Sequence, residues 1–246
     1  MSKSLKTIPL YAGILVFGYI AGSIFGTIEE DNCKIAETSV ISLEDEQSQT
    51  KPQNQNPEQK STIDEWTDGQ GHYFIGSKEA KVTFLEYTDY QCPYCQRYFF
   101  SAYNEIKENF IKEGKIKYSV RAFPLPFHDA AKPATYATLC AADQGGFFKM
   151  HEALFMFQNE WSYAESVEDL FTKYASNIGL DATTFKACMN DKWKIKTFDK
   201  IISANSTEAG NLNISGTPSM IINNKTIVGA QPYEVFETEI NEAISQ

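Results

Sequence analysis

Residues 89–100 read DYQCPYCQRYFF and place Cys92 and Cys95 at a two-residue spacing, where a strand-like run ends and helical spacing begins. Pro93 suits the first turn of a helix, because the N–H that proline lacks would have no partner there. The pattern therefore puts Cys92 at a helix N-terminus, where free N–H groups and the helix dipole stabilise a thiolate. Cys92 is predicted to be the reactive sulfur, and Cys95 is predicted to resolve mixed disulfides by attacking it.

The segments around this stretch predict a βαβ unit. Residues 81–87 (KVTFLEY) mix apolar and β-branched side chains as a buried strand does, and residues 98–114 have helical spacing. A second strand is predicted at 115–122, directly after the helix. Strand, helix and strand in this order imply parallel pairing with a right-handed crossover. A short edge strand is expected at 73–75.

A helical insertion is predicted at about 127–212, where no convincing strand pattern occurs. Pro133 suits the first position of its helix, and Ser166 with Asp169 has the spacing of a capping box. The aromatic side chains of this region are expected to form its core. The predicted helices are 133–144, 147–159, 167–178, 182–190 and 193–209.

The chain then returns to strand in SMIINNKTIVG, residues 219–229, with a hairpin turn expected at Asn223 and Asn224. A helix at 232–244 closes the chain. Two halves of one sheet thus flank the insertion, which predicts an α/β domain over residues 63–246.

An uncharged segment, residues 7–28 (TIPLYAGILVFGYIAGSIFGTI), lies ahead of this domain and contains 22 residues. Roughly 20 apolar residues suffice to span a bilayer as a helix. Lysines at 3 and 6 and acids at 29–31 predict a cytoplasmic N-terminus and export of the remainder. Residues 1–30 are therefore expected to be a membrane anchor or a cleaved signal peptide, and both alternatives stay open.

Residues 31–62 are rich in Gln, Asn, Ser, Thr and Glu, which predicts a flexible, disordered linker. The exported domain is then expected in the periplasm or at the outer face of the cytoplasmic membrane. The formal net charge of the chain is −10. Such a surface repels phosphate backbones, so nucleic acid is not an expected partner.

The cysteine pair admits three interpretations. Zinc usually takes four ligands, and the histidines at 72, 128 and 151 are scattered, so no zinc site is predicted. A copper(I) carrier that uses two thiolates remains an alternative. A purely structural bond would close a very small loop and constrain little of the unfolded chain. Thiol–disulfide exchange without cofactor or metal is therefore the favoured function.

The sequence resembles the thioredoxin-fold disulfide oxidoreductases, especially the exported DsbA-like thiol:disulfide interchange proteins. The resemblance spans about residues 72–244 and depends on GSKEAKVTFLEYTDYQCPYC, FPLPFHDAA, FKMHEALF and SGTPSMIINN. It implies a thioredoxin fold with a helical insertion. It also implies a cis-proline at Pro218, whose preceding residue Thr217 lies against the active-site sulfurs, and a buried acid at Glu86. From the residues alone, pairing of Glu86 with Arg121 stays open.

The resemblance implies that this protein forms disulfides in unfolded or partly folded exported proteins and is recycled by a membrane redox partner. The dipeptide Pro93-Tyr94 is similar to that of reducing glutaredoxins and of some exported isomerases. Thr217 likewise differs from the valine of the best-known oxidase. A reductase or isomerase of the same fold is therefore the alternative direction.

Three further cysteines lie outside the CxxC pair. Cys140 and Cys188 fall in predicted helices among small or apolar residues, and two interpretations stay open for them: a structural disulfide, or two buried thiols. Cys33 is expected to be exposed near the membrane. His128 and His151 are interpreted as structural histidines, with a place beside the active site as the alternative.

Overall fold

The computed structural model describes residues 63–246. The predicted anchor or signal helix, the linker and Cys33 lie outside the described residues. Within 63–246 there is no helix that combines the length and apolar character needed to cross a membrane.

In the part of the chain that the structure describes, six strands form one sheet in the order β1-β2-β4-β3-β5-β6. Only β3 and β4 run parallel, while every other neighbouring pair is antiparallel. The parallel pair confirms the predicted βαβ unit, and β5 with β6 confirms the predicted hairpin. The strands are Asp64–Thr67, Tyr73–Gly76, Val82–Thr88, Ile116–Ala122, Ser219–Ile222 and Lys225–Val228, numbered β1 to β6.

The strand predicted at 73–75 is present, but its predicted edge position is wrong. That segment is β2, which lies between β1 and β4, and β1 occupies the edge. The strand β1 has the sequence DEWT and is mostly exposed. Because it is short and carries no apolar alternation, its sequence gives no strand signal.

One helix, α1, connects β3 to β4 across the sheet. Cys92 is its N-cap residue, and Pro93 is its first residue. Two of its segments have π-helical hydrogen bonding, which sequence periodicity did not predict. The consecutive segments of α1 are Pro93–Tyr98, Phe99–Tyr103, Asn104–Ile106 and Lys107–Ile111.

Helices α2 to α7 form the insertion, and α8 closes the chain. The Ser166–Asp169 capping box is wrong, because Val167 is the N-cap residue of α5 and no side chain caps it. Pro133 is the third residue of α2 rather than the first, a position whose N–H still has no acceptor within the helix. Helices α2 to α8 have, in order, the bounds Ala131–Ala142, Phe147–Met156, Gln158–Trp161, Glu168–Asn177, Ala182–Met189, Lys192–Asn211 and Tyr233–Ile244.

The helix predicted at 147–159 is broken at Phe157, which separates α3 from α4. Phe147, Phe148 and Phe155 are buried as expected, whereas Phe157 is 38% exposed. The break begins a new helical turn at Gln158. The side chain of Gln158 contacts the loop that carries Cys92.

The sheet separates two apolar clusters of different size. The larger cluster contains Phe84 of β3 and Tyr118 of β4 together with the apolar face of α1. On the opposite face, Tyr87 packs with Ala209 and Ile221. Alternation along β3 therefore points Phe84 and Glu86 toward α1 and points Tyr87 away from it.

Candidate active site

Cys92 and Cys95 are free thiols at the start of α1, and both are buried. The Cys92 carbonyl accepts hydrogen bonds from the N–H groups of Cys95 (3.1 Å) and Gln96 (3.2 Å), which closes the first helical turn. The first turn of α1 carries no acidic side chain that would oppose a negative sulfur. The local sequence thus produces the arrangement that the CxxC spacing predicts.

The two sulfurs differ strongly in acidity. The pKa of Cys92 is lowered to about 6, chiefly because the Cys95 thiol donates a hydrogen bond to its sulfur, with help from backbone N–H groups. Burial raises the pKa of Cys95 well above its ordinary value, and the neighbouring Cys92 sulfur adds to this rise. Near neutral pH the pair therefore shares one negative charge, held on Cys92.

Thr217 and Pro218 lie directly against the reactive sulfur. The bond between them is cis, and the Cys92 Sγ lies 3.6 Å from the Thr217 carbonyl oxygen. Strand β5 begins at the next residue and pairs with β3. This pairing holds Thr217 and Pro218 beside the start of α1. The expected neighbourhood of Thr217, Pro218 and Cys92 is therefore present.

Glu86 is buried on β3, 1% exposed, with Tyr118 donating a hydrogen bond to its Oε2. Burial raises the pKa of Glu86 to about 7, against the lowering effect of that hydrogen bond. The alternative in which Arg121 pairs with Glu86 is wrong. Arg121 points to the opposite face of the sheet and forms its ion pair with Glu208, at 3.3 Å.

Tyr94 is the exposed member of the CPYC sequence. Its side chain is 59% exposed, and the Arg97 guanidinium lies 5.6 Å from the centre of its ring. Arg97 also donates a hydrogen bond to the Ala230 carbonyl. Tyr94 therefore stands beside the buried sulfurs, where an approaching partner would meet it.

Asp89 was missed by the sequence analysis, although it holds the cysteine loop. Its Oδ1 accepts hydrogen bonds from the N–H groups of Gln91 (2.7 Å) and Cys92 (3.2 Å). Its Oδ2 accepts from the Leu125 N–H (2.7 Å) and the His128 Nδ1 (2.8 Å). An aspartate three residues before a helix start is a recognisable turn and capping signal, which could have identified it.

Gln158 ties the insertion to the same loop. Its Nε2 donates to the carbonyl oxygens of Tyr90 (2.7 Å) and Cys92 (3.1 Å), and the side chain is buried. Gln91 adds a second tie, because its Nε2 donates to the Ser162 carbonyl at 2.7 Å. No local sequence signal points to Gln158, since these contacts join segments far apart in the chain.

The two histidines of the insertion motifs differ in position. His128 is bonded to Asp89 and so stands beside the cysteine loop, as the alternative interpretation had it. His151 lies inside the core, where its Nδ1 is 3.1 Å from the Tyr90 hydroxyl, and burial lowers its pKa to about 3. His151 is thus a neutral core residue.

Cys140 and Cys188 are joined in a disulfide, which links α2 to α6 across 48 positions of sequence. Both residues are buried. The sequence left a disulfide and two free thiols open, and the structure contains the disulfide.

Together, the central sheet, the helix after Cys92 and the strand after Pro218 define a thioredoxin-like fold with a helical insertion. The family model described as Thioredoxin matches residues 67–242, and the chain belongs to this family. Among solved structures, that of Wolbachia pipientis alpha-DsbA1 has a TM-score of 0.61 with 25% identity and covers 70% of this chain and 90% of its own. The resemblance to DsbA-like proteins is thereby confirmed.

Several curated relatives carry names that refer to disulfide chemistry. A Rickettsia felis protein named "Putative protein-disulfide oxidoreductase" is 26% identical over 172 residues, 70% of this chain and 60% of that protein. Disulfide bond formation protein D of Bacillus subtilis is 28% identical over 185 residues, 72% of this chain and 77% of its own. The chain thus spans about 60% of the length of the rickettsial relatives.

Proposed function

We propose that this protein is an exported thiol:disulfide oxidoreductase that forms disulfide bonds in unfolded or partly folded client proteins. The observation that carries the proposal is the acidity difference between the cysteines, with the Cys92 pKa lowered to about 6 and the Cys95 pKa raised. A low pKa stabilises the reduced pair through its thiolate and makes Cys92 a good leaving group. Both effects favour passing the disulfide to a client. The names of the relatives support the same chemistry.

The oxidising cycle begins with the Cys92–Cys95 disulfide. A client thiolate attacks the Cys92 sulfur, a mixed disulfide forms, and Cys95 leaves as a thiolate that takes up a proton. A second client thiolate then attacks the client sulfur of the mixed disulfide, and Cys92 leaves as a thiolate. Two electrons pass from client to enzyme, so the pair must be reoxidised by a membrane redox partner.

Supporting roles are assigned by position. Pro93 begins α1 and so fixes Cys92 at the helix N-terminus, and Tyr94 forms the exposed rim. Thr217, before Pro218, offers its backbone to an extended client segment, because its carbonyl already faces the Cys92 sulfur. Glu86 exchanges a proton with Cys95.

Domain organisation and location follow from the sequence. Residues 1–30 serve as membrane anchor or signal peptide, 31–62 as a linker, and 63–246 as the catalytic domain. The charge pattern around 7–28 supports a location of this domain in the periplasm or at the outer face of the cytoplasmic membrane. Clients and the recycling partner are accordingly exported and membrane proteins.

Replacing the resolving cysteine tests the exchange mechanism directly. Cys95→Ser leaves Cys92 able to form mixed disulfides but unable to release them internally, so clients accumulate as covalent adducts of the chain. The measurement is non-reducing electrophoresis after exposure to a reduced, unfolded secretory protein, with Cys92→Ser as the matched control. Adducts that are absent with Cys95→Ser, or equally abundant with Cys92→Ser, contradict the proposal.

The direction of transfer is measured by equilibrating the pair with graded glutathione mixtures. A potential near about −120 mV marks a donor of disulfides, as the acidic Cys92 leads us to expect. A value near or below about −230 mV would make the protein a reductant, and the oxidising direction would then be wrong.

A further inference from the structure

Thr88 is the last residue of β3 and lies two positions after Glu86. Alternate residues of a strand point to the same face, so Thr88 and Glu86 both face α1 while Tyr87 faces away. The backbone of Thr88 is fixed, because its carbonyl accepts a hydrogen bond from the Phe123 N–H at 2.7 Å. Its side chain therefore lies on the same face of the sheet as the Glu86 carboxyl, one position before the cysteine loop begins at Asp89.

Two buried oxygens at this place have no hydrogen-bond partner. The first is Glu86 Oε1, since Tyr118 occupies only the Oε2 of that carboxyl. The second is the hydroxyl of Thr88, a residue with no exposed surface. Leaving a buried polar atom unpaired costs about 1 to 3 kcal/mol, so such atoms are rare and require a reason.

The Thr88 hydroxyl acts on two groups at once. It lowers the pKa of the Glu86 carboxyl and also that of the Cys95 thiol. A hydroxyl has this effect where it can donate a proton toward the charged form of each group. The hydroxyl therefore interacts with both groups, although neither contact has the geometry of a full hydrogen bond.

We propose that Thr88 is the proton relay between the Cys95 Sγ and the Glu86 Oε1. This inference rests on the proposed exchange reaction and names a residue of that same site. When Cys95 attacks a mixed disulfide, its thiol gives its proton to the Thr88 hydroxyl, which passes its own proton to the Glu86 carboxylate. The Cys95 thiolate forms the bond to the Cys92 sulfur, the old bond breaks, and the client sulfur leaves as a thiolate.

The same path runs backward when a client is oxidised. A client thiolate attacks Cys92, the Cys92–Cys95 bond breaks, and Cys95 leaves as a thiolate. The Thr88 hydroxyl protonates that thiolate and is reprotonated by the Glu86 carboxylic acid. Each direction moves one proton between sulfur and carboxyl, and the hydroxyl is restored at the end.

The tyrosines around the path and His151 do not compete for the proton near neutral pH. Burial raises the pKa of each surrounding tyrosine, and His151 is neutral. The tyrosines that face Glu86 electrostatically are Tyr90, Tyr98, Tyr103 and Tyr118. Among these groups and the two cysteines, Glu86 and Cys92 have pKa values of about 7 and about 6. Asp89, the other acid beside Cys95, is engaged through both oxygens with the loop N–H groups and His128.

The test uses the 246-residue chain carrying Cys33→Ser, with Cys92 and Cys95 reduced and the Cys140–Cys188 disulfide intact, and the aromatic disulfide dithiobis(nitrobenzoate). Cys92 attacks the reagent and releases one aromatic thiolate, and Cys95 then attacks Cys92 and releases the second. Stopped-flow absorbance separates the two releases. The first measures Cys92 alone, and the second measures the step in which Cys95 must lose its proton.

Thr88→Val keeps the shape of the side chain and removes the hydroxyl. We expect the second release to slow at least tenfold at pH 7, in line with general acid–base effects of about 10² to 10⁴. We also expect its pH profile to lose the inflection near pH 7 that Glu86 contributes. The first release is expected to change little, and Thr88→Ser is expected to restore the second one.

An unchanged rate and pH profile in Thr88→Val would overturn the relay. If Thr88→Val also slows the first release, the substitution has altered the site, and Thr88→Ala and Thr88→Ser are compared instead. Equal second releases in those two variants would overturn it as well. A small reagent replaces the client, so the relay is measured even if no protein client is oxidised.

Discussion

The two cysteine pairs of this protein are equally buried and chemically opposite. Exposure ranges from 0% to 5% over all four residues, so burial does not distinguish them. Cys140 and Cys188 are bonded and connect two helices of the insertion, whereas Cys92 and Cys95 are free at the start of α1. The difference lies in the polar groups that each pair meets.

Around Cys92 the chain provides donors that stabilise a negative sulfur: backbone N–H groups and the Cys95 thiol. The Thr88 hydroxyl and the Asp89 backbone act on Cys95, and both lower its pKa against the effect of burial. Cys188 instead has the Asp143 carboxylate 3.7 Å from its sulfur, a neighbour that would repel a thiolate. The comparison teaches that reactivity follows the charge that the surroundings prefer, not the accessibility of the sulfur.

Removing the structural pair has the largest expected effect on stability. A crosslink that closes a loop of 48 positions restricts the unfolded chain, and the chain-entropy relation gives about 4 kcal/mol. Cys140→Ala/Cys188→Ala is expected to lower the free energy of unfolding by about that amount, measured by urea denaturation. The first release of aromatic thiolate by Cys92 is expected to remain within about twofold, since distant sites act independently.

The control isolates the crosslink from the reactive pair. In a Cys33→Ser/Cys92→Ala/Cys95→Ala background the remaining cysteines are Cys140 and Cys188, so strong reductant is expected to reproduce the loss of stability there. Adding Cys140→Ala/Cys188→Ala to that background should abolish the response to reductant. A crosslink-free chain with altered Cys92 reactivity would break the separation between the two pairs.

How far the sequence predicts each pair depends on how local its determinants are. The position of Cys92 at a helix start follows from residues within one turn, and Pro93 alone indicates it. The contact between Cys140 and Cys188 depends on how α2 packs against α6, which no periodicity states. Sequence analysis could therefore only leave the second pair open.

The same reasoning explains the misses in the active site. Gln158 contacts the Tyr90 and Cys92 carbonyls across more than sixty residues, a contact that exists only in the folded chain. The Glu86–Arg121 alternative fails because Arg121 is in register with Tyr87, and both face the other side of the sheet. The sequence shows how side chains alternate along each strand, but it does not show the register in which β3 and β4 pair.

Glu86→Gln is expected to have the second largest effect. It tests the difference in polar surroundings between the reactive and the structural cysteine pair. The folded-state pKa of Glu86 is about 7, raised by burial from 4.5. The stabilising contribution of the protonated carboxyl is thus fully present below about pH 4.5 and is lost as pH rises through 7. Relative to the parent, the variant is expected to gain about 3 kcal/mol between pH 4.5 and pH 8.

Urea denaturation at several pH values, with Cys92 and Cys95 reduced and the Cys140–Cys188 disulfide intact, measures this gain. Glu113→Gln, at an exposed position on the turn after α1, controls for the loss of one acidic side chain. A stability difference between Glu86→Gln and parent that stays constant with pH would show that the buried carboxyl titrates as it does in the unfolded chain. The polar contrast between the two cysteine pairs would then lose one of its main supports.

His128→Ala is expected to have the smallest effect, because Asp89 keeps three backbone N–H donors after the imidazole is lost. Loss of one part-buried hydrogen bond costs about 1 kcal/mol. The matched control is His72→Ala, which removes a similar bond to Asp68 at 2.6 Å, away from the cysteine loop. Both variants are expected to lose similar stability, measured by urea denaturation.

Only His128→Ala is expected to change the sulfur chemistry. Without its histidine partner the Asp89 carboxylate presents more negative potential to the Cys92 loop, which disfavours the thiolate. Alkylation of Cys92 at pH 6 is therefore expected to slow by a factor of about two, while His72→Ala leaves it unchanged. Equal alkylation rates in the two variants would mean that Asp89 positions the Cys92 backbone without influencing its charge. The reactivity of the pair would then be assigned to the helix start and the Cys95 thiol alone.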